Sequence, residues 1–131
     1  MKLLYWLDEW LTLSRDEQQA RLPMCGDDLL DDVFVKYDFV DPDKPLLFTF
    51  SPAGTNVQEQ DLHSDFAPWG YKLGKKQNVN IISFQHLGKS NWFRSRNLIF
   101  FLEQLSTLLE PFNQRLGYGL SRGGFAVGAF A

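Results

Sequence analysis

Two short apolar runs followed by one long helical repeat restrict this chain more than any other feature. Leu46-Leu47-Phe48-Thr49-Phe50 and Val79-Asn80-Ile81-Ile82-Ser83-Phe84 have the length of strands and are too short for helices. Leu46 to Phe50 is nearly all apolar, as in a strand buried on both faces. Leu98, Phe101, Leu102, Leu105, Leu108 and Leu109 then recur at the 3.6-residue period of an amphipathic helix. Ser95 supplies an N-cap and Pro111 a stop.

The intervening segments complete the pattern. Val33 to Val40 alternates as a strand with one wetter side, and Asp41-Pro42-Asp43-Lys44-Pro45 reads as a turn. Pro68, Gly70 and Gly74 exclude a long helix within 57–77 but leave room for a short one. Arg115 to Gly119 is a further short strand, and Gly123 to Ala131 starts a helix. Strands alternating with helices imply right-handed crossovers and parallel pairing. The expected fold is α/β: a mostly parallel sheet of about four strands with flanking helices.

The N-terminal residues form a separate element. Leu3, Leu4, Trp6, Leu7, Trp10 and Leu11 repeat at helical spacing. Ser14-Arg15-Asp16-Glu17 is a capping box for a second helix that ends before Pro23. Residues 1–26 are therefore expected to be an N-terminal helical segment, and 27–131 the α/β part. The acids between Asp27 and Asp32 read as a solvated turn or helix start. A metal site there would need further ligands at matching spacing, which do not follow.

Composition narrows the function classes. The 131 residues are 44% hydrophobic and 22% charged, the balance of a globular domain. The 12 Phe, 4 Trp and 4 Tyr lie outside any basic repeat, so they read as core rather than as base-stacking groups. Through Asp43 there are 11 acids against 4 bases; from Lys44 onward there are 9 bases against 5 acids. That asymmetry reads as solvated surface charge, with no duplex-binding stripe and no nucleic-acid partner expected. Cys25 is the single cysteine, so neither an intramolecular disulfide nor a thiolate metal cluster is available. No stretch is long enough to span a bilayer, and no signal peptide is recognisable; a cytoplasmic location is the default expectation.

The chemistry concentrates in Gly117-Tyr118-Gly119-Leu120-Ser121-Arg122-Gly123-Gly124. Gly119-Leu120-Ser121-Arg122-Gly123 is a G-x-S-x-G pattern lodged between a strand and a helix. Glycines two before and two after the serine permit the strained turn that exposes a nucleophile. Gly124, Ala126, Gly128, Ala129 and Ala131 keep the next helix slim. Two other readings compete. Gly117, Gly119 and Gly123 could form a dinucleotide phosphate loop, which needs an acidic residue about twenty positions on. Alternatively, the glycines serve packing and Ser121 caps a helix.

Ser51-Pro52-Ala53-Gly54-Thr55 favours the nucleophile. Acyl transfer needs two backbone N–H donors aimed at the developing oxyanion. One comes from the residue after the nucleophile, here Arg122. The other comes from a loop after an earlier strand. Pro52 has no N–H, so Ala53 or Gly54 is the candidate.

With these parts, the chain resembles the α/β-hydrolase family over residues 33–131. The resemblance implies an N-terminal half of that fold, with Ser121 as nucleophile and Arg122 with Ala53 or Gly54 as oxyanion hole. It implies an acyl substrate and ester, thioester or amide hydrolysis, or acyl transfer, without a cofactor or metal. His86, Trp92 and Arg94 are candidates to line the cleft. The family places its acid and histidine after the serine, whereas His63 and His86 precede Ser121. The resemblance therefore implies a truncated or split hydrolase, feeble alone, with its 115–119 edge open to self-association or a partner strand. A non-catalytic binding domain that kept the scaffold is the alternative.

Overall fold

The computed structural model describes residues 2–30, 32–51, 57–62, 66–88, 96–108 and 115–119. The elements run α1 (Lys2–Trp10), α2 (Arg15–Ala20), β1 (Met24–Leu30), β2 (Val33–Phe39), β3 (Leu46–Phe50), a 3-10 turn (Glu59–Asp61), α3 (Tyr71–Gln77), β4 (Asn80–His86), α4 (Arg96–Leu108) and β5 (Arg115–Gly119). The five strands form one sheet in the order β1-β2-β4-β3-β5. Helices flank it, so the α/β expectation holds at that level.

The mostly parallel sheet does not hold. β1 pairs antiparallel with β2, and β2 antiparallel with β4. Only β4-β3 and β3-β5 are parallel, so the sheet is mixed. The additional strand is β1, where the sequence suggested an acidic turn or helix start. Met24-Cys25-Gly26-Asp27-Asp28-Leu29-Leu30 has weak strand propensity, but it pairs along its whole length with β2. Tertiary pairing overrides a propensity of this kind. Gly26 makes the pairing feasible: a Cβ there would lie 2.8 Å from the Tyr37 hydroxyl.

α1 and α4 cover one face. Leu3, Leu7 and Trp10 of α1 join Leu98, Phe101, Leu102 and Leu105 of α4 over alternate residues of β2, β3 and β4. Phe50 stacks on Phe84 at 4.8 Å between ring centroids, and Phe84 meets Phe101 edge-on at 6.5 Å. Ser14 caps α2 as its sequence signature indicates. The Ser14 Oγ accepts from the Glu17 N–H and the Glu17 carboxylate accepts from the Ser14 N–H. Hydrogen bonding to the Ser14 backbone N–H, and next to the Ser14 side chain, holds the Glu17 carboxyl below its ordinary range.

α3 lies on the other face, which is more polar. Gly74 approaches Ile81 so closely that a Cβ would collide with it. The Thr49 hydroxyl donates to the Trp69 carbonyl at 2.9 Å, and the Trp69 N–H donates to Gln85 at 3.2 Å. Lys36 donates to the Phe66 carbonyl at 2.7 Å and lies over the Tyr71 ring. Lys75 reaches the buried Asp38 carboxylate at 2.6 Å.

Asn80 fixes the amino-terminal ends of β3 and β4. Its Oδ1 accepts from the Val40 and Asp41 N–H groups, and its Nδ2 donates to the Asp41 and Lys44 carbonyls. The Asp41–Pro45 turn thus folds around one buried amide.

Candidate active site

The sheet order places the candidate site at one end. β3 leads through α3 to β4 on its one side; β4 leads through α4, back across β3, to β5 on the other. Right-handed connections running in opposite directions put their helices on opposite faces. α3 and α4 are indeed on opposite faces. Where the helices after adjacent parallel strands diverge in this way, a crevice opens outside the carboxyl ends of those strands. The residues there are Ser51 after β3, His86 at the end of β4, and Gly119 at the end of β5.

The register fixes their relation. Phe50 is the Cα partner of Phe84 on one side and of Gly119 on the other. The segments after Phe50 and Gly119 therefore leave from neighbouring positions at the same end of adjacent parallel strands. These are the segments in which the sequence places the oxyanion donors and the nucleophile.

The flanks of 52–56 are fastened to β4. The Ser51 N–H donates to the Phe84 carbonyl at 3.0 Å, and the Ser51 hydroxyl accepts from the His86 N–H at 3.0 Å. On the far side, Val57 forms a parallel bridge with Leu87, and its carbonyl accepts from the Gly88 N–H at 2.9 Å. Gly88 has a φ of 60°, a conformation that suits glycine. Ser51 and Val57 are thus both bonded at the carboxyl end of β4 and the two residues after it.

His86 is a strand residue rather than one that follows the strand, because β4 continues two positions beyond the apolar run. It is 0% exposed, and its Nδ1 lies 3.7 Å from Asp32 Oδ2. Asp32 belongs to the Asp31-Asp32 connection between β1 and β2. Its carbonyl accepts from the Leu87 N–H at 2.8 Å, which holds it beside the end of β4. Sequence reasoning missed Asp32 by assigning it to a solvated acidic turn. The available signal was the two-residue spacing between Leu30 and Val33, which suits a tight hairpin.

Of the residues selected from the sequence, the structure brings together His86 and Gly119 at the carboxyl end, with β3 between their strands. Ser121, Arg122, Gly123, Ala53, Gly54, Trp92, Arg94 and His63 lie outside the described residues. Gly117 is a paired residue of β5, opposite Phe48.

Titration is perturbed elsewhere. Burial, with Asp28 and Asp27 nearby, pushes the Tyr37 hydroxyl up to about 12. Burial, then Asp38, raises Tyr71 also. Tyr37 lies within β2 and Tyr71 opens α3. Among the described residues, no group of three His, Cys, Asp or Glu side chains could hold a metal ion. Among them, too, no helix is long and apolar enough to cross a membrane. No family model, curated protein or solved structure matches this chain.

Proposed function

We propose that this protein is a serine-hydrolase-like acyl-transfer protein of α/β-hydrolase type. Its chemistry is hydrolysis of an ester, thioester or amide, or transfer of the acyl group, through an acyl-enzyme on Ser121. The observation that carries the reading is the parallel pairing of β3 with β5 in the register Phe50↔Gly119. It sets Phe50 and Gly119 side by side at the carboxyl end of the sheet, shortly before the Ala53-Gly54 segment and at the start of the Gly119-Leu120-Ser121-Arg122-Gly123 motif in the chain. An oxyanion hole needs that adjacency, since one donor comes from each segment.

In this reading the Ser121 Oγ attacks the acyl carbon and the carbonyl oxygen becomes an oxyanion. The N–H groups of Arg122 and of Ala53 or Gly54 stabilise that charge. Collapse of the intermediate breaks the bond to the leaving group, which departs with a proton. Water or another acceptor then releases the acyl group by the same route. The dinucleotide reading has less support: Gly117 and Gly119 are paired strand residues, whereas a phosphate loop needs its glycines in the turn.

The test is covalent. A fluorophosphonate probe followed by peptide mapping should modify Ser121, and Ser121→Ala should abolish the label. A protein unmodified at Ser121, or equal labelling of the alanine variant, overturns the proposal.

A further inference from the structure

β1 is an edge strand. All of Met24–Leu30 pairs with β2 on one side, and among the described residues no strand lies on its other side. Alternate residues of an antiparallel ladder turn their N–H and C=O groups to the same side, so about half of the β1 backbone groups point away from the sheet. Cys25 and Leu29 are exposed, Leu29 at 44%. β1 and β5 are opposite edges of the sheet, so this surface is separate from the proposed acyl chemistry.

Two adjacent acids stand on this edge, Asp27 and Asp28. Among the described residues neither carboxylate forms an ion pair. Asp28 shares a face with Gly26, above which the Tyr37 hydroxyl lies. Burial, then the charges of Asp28 and Asp27, push that hydroxyl up to about 12. Asp28 Oδ2 is itself buried, and among the described residues it accepts no hydrogen bond. Charged side chains can serve to keep an edge unpaired, but that role asks for solvated carboxylates. A buried carboxylate oxygen without a donor calls instead for a cation.

We propose that β1 is a docking edge for a basic, extended segment of another protein, which adds to the sheet as a further strand. The backbone of that segment pairs with the outward N–H and C=O groups of β1, and its side chains set the specificity. Neighbouring strands lie about 4.8 Å apart, so side chains directly opposite each other interact. A Lys or Arg opposite Asp28 supplies the donor that Oδ2 lacks. A second basic residue, opposite Asp27, pairs on the other face. An apolar residue opposite Leu29 covers its exposed side chain. The segment therefore carries two adjacent basic residues beside an apolar one. A second copy of this chain is a poor occupant, because pairing β1 with itself brings two sets of carboxylates together, and like charges repel.

Fluorescence anisotropy of the full chain, with a labelled Val/Thr peptide carrying a central Lys-Arg-Val, tests the docking edge. The peptide should bind the wild type saturably, and more weakly as salt rises from about 0.05 to 0.5 M. Asp27→Asn combined with Asp28→Asn, checked for fold by circular dichroism, should weaken binding about tenfold or more. Glu-Glu in place of Lys-Arg should abolish it. N-methylation of alternate peptide amides should abolish it too, since charge alone does not replace the lost ladder. If the double variant does not fold, N-methylation decides on the wild type. A basic peptide that fails to bind the wild type, binds the folded double variant equally well, or tolerates N-methylation in both alternations overturns the proposal. A wild-type dimer, seen by light scattering, that excludes the peptide makes a second copy the occupant and overturns it as well.

Discussion

Lys75→Met isolates the role of the polar face. The Asp38 carboxylate is 3% exposed, and Lys75 Nζ lies 2.6 Å from its Oδ2. Among the described residues Lys75 is the partner of Asp38. Removing one member of a buried pair costs about 3 to 5 kcal/mol because a charge is left unpaired. Lys75 is itself 52% exposed, so water would replace part of what is lost; about 2 to 3 kcal/mol is expected. For a chain of this length that corresponds to a fall in Tm of roughly 10 °C. Urea is the suitable denaturant, since guanidinium would screen the pair. The hydrogen bond to Asp38, opposed by burial, raises Lys75 above its ordinary value of 10.5. A raised lysine contributes stability that is complete below the unfolded value and disappears as pH rises through the folded one. The gap between wild type and variant should therefore be constant near neutrality and close above about pH 10.5. Asp38→Asn in the Lys75→Met background should recover at least half of the loss, because the buried charge is gone. A loss under about 0.5 kcal/mol, or a gap that persists at high pH, would show that the pair behaves as an ordinary surface contact.

Two further substitutions probe the packing on either side of the sheet. Gly74→Ala should destabilise by about 1 to 2 kcal/mol despite the better helix propensity of alanine, because the new Cβ meets Ile81. Adding Ile81→Val should relieve part of it, and a stabilised Gly74→Ala in urea melts would refute so close a seat for α3. Leu7→Ala should cost about 2 to 5 kcal/mol, since Leu7 is fully buried in the shared core. It should lower one cooperative transition, and a separate early transition for the N-terminal residues would refute their membership of that core.

Most local elements were legible in the sequence. The apolar runs, the α4 repeat and the Ser14 capping box each carry their own signal within a few residues. What failed was β1, whose two aspartates and glycine contain no strand signal. Its identity comes from the partner strand, and from Tyr37 filling the space above Gly26. The mostly parallel expectation failed for a related reason. Alternation of strands and helices predicts parallel pairing only where a helix intervenes. β1 and β2 are joined by two residues, which permits only an antiparallel hairpin. β2 connects to β3 by a short turn but pairs with β4, and nothing local announces that choice.

The candidate site divides along the same line. Serine turn and small-residue loop are local patterns, and both could be found one residue at a time. Their adjacency is not local, because β5 returns across β3 rather than adding beside β4. A chain with the same motifs but with β5 beside β4 would put an additional strand between Phe50 and Gly119, which are direct neighbours here. His86 and Asp32 illustrate the converse. Neither belongs to a motif, and they lie 54 positions apart in the chain. They meet because antiparallel β2 begins where β4 ends. The hairpin that spoiled the parallel-sheet expectation is therefore the element that delivers a carboxylate to the only end of the sheet where acyl chemistry is proposed.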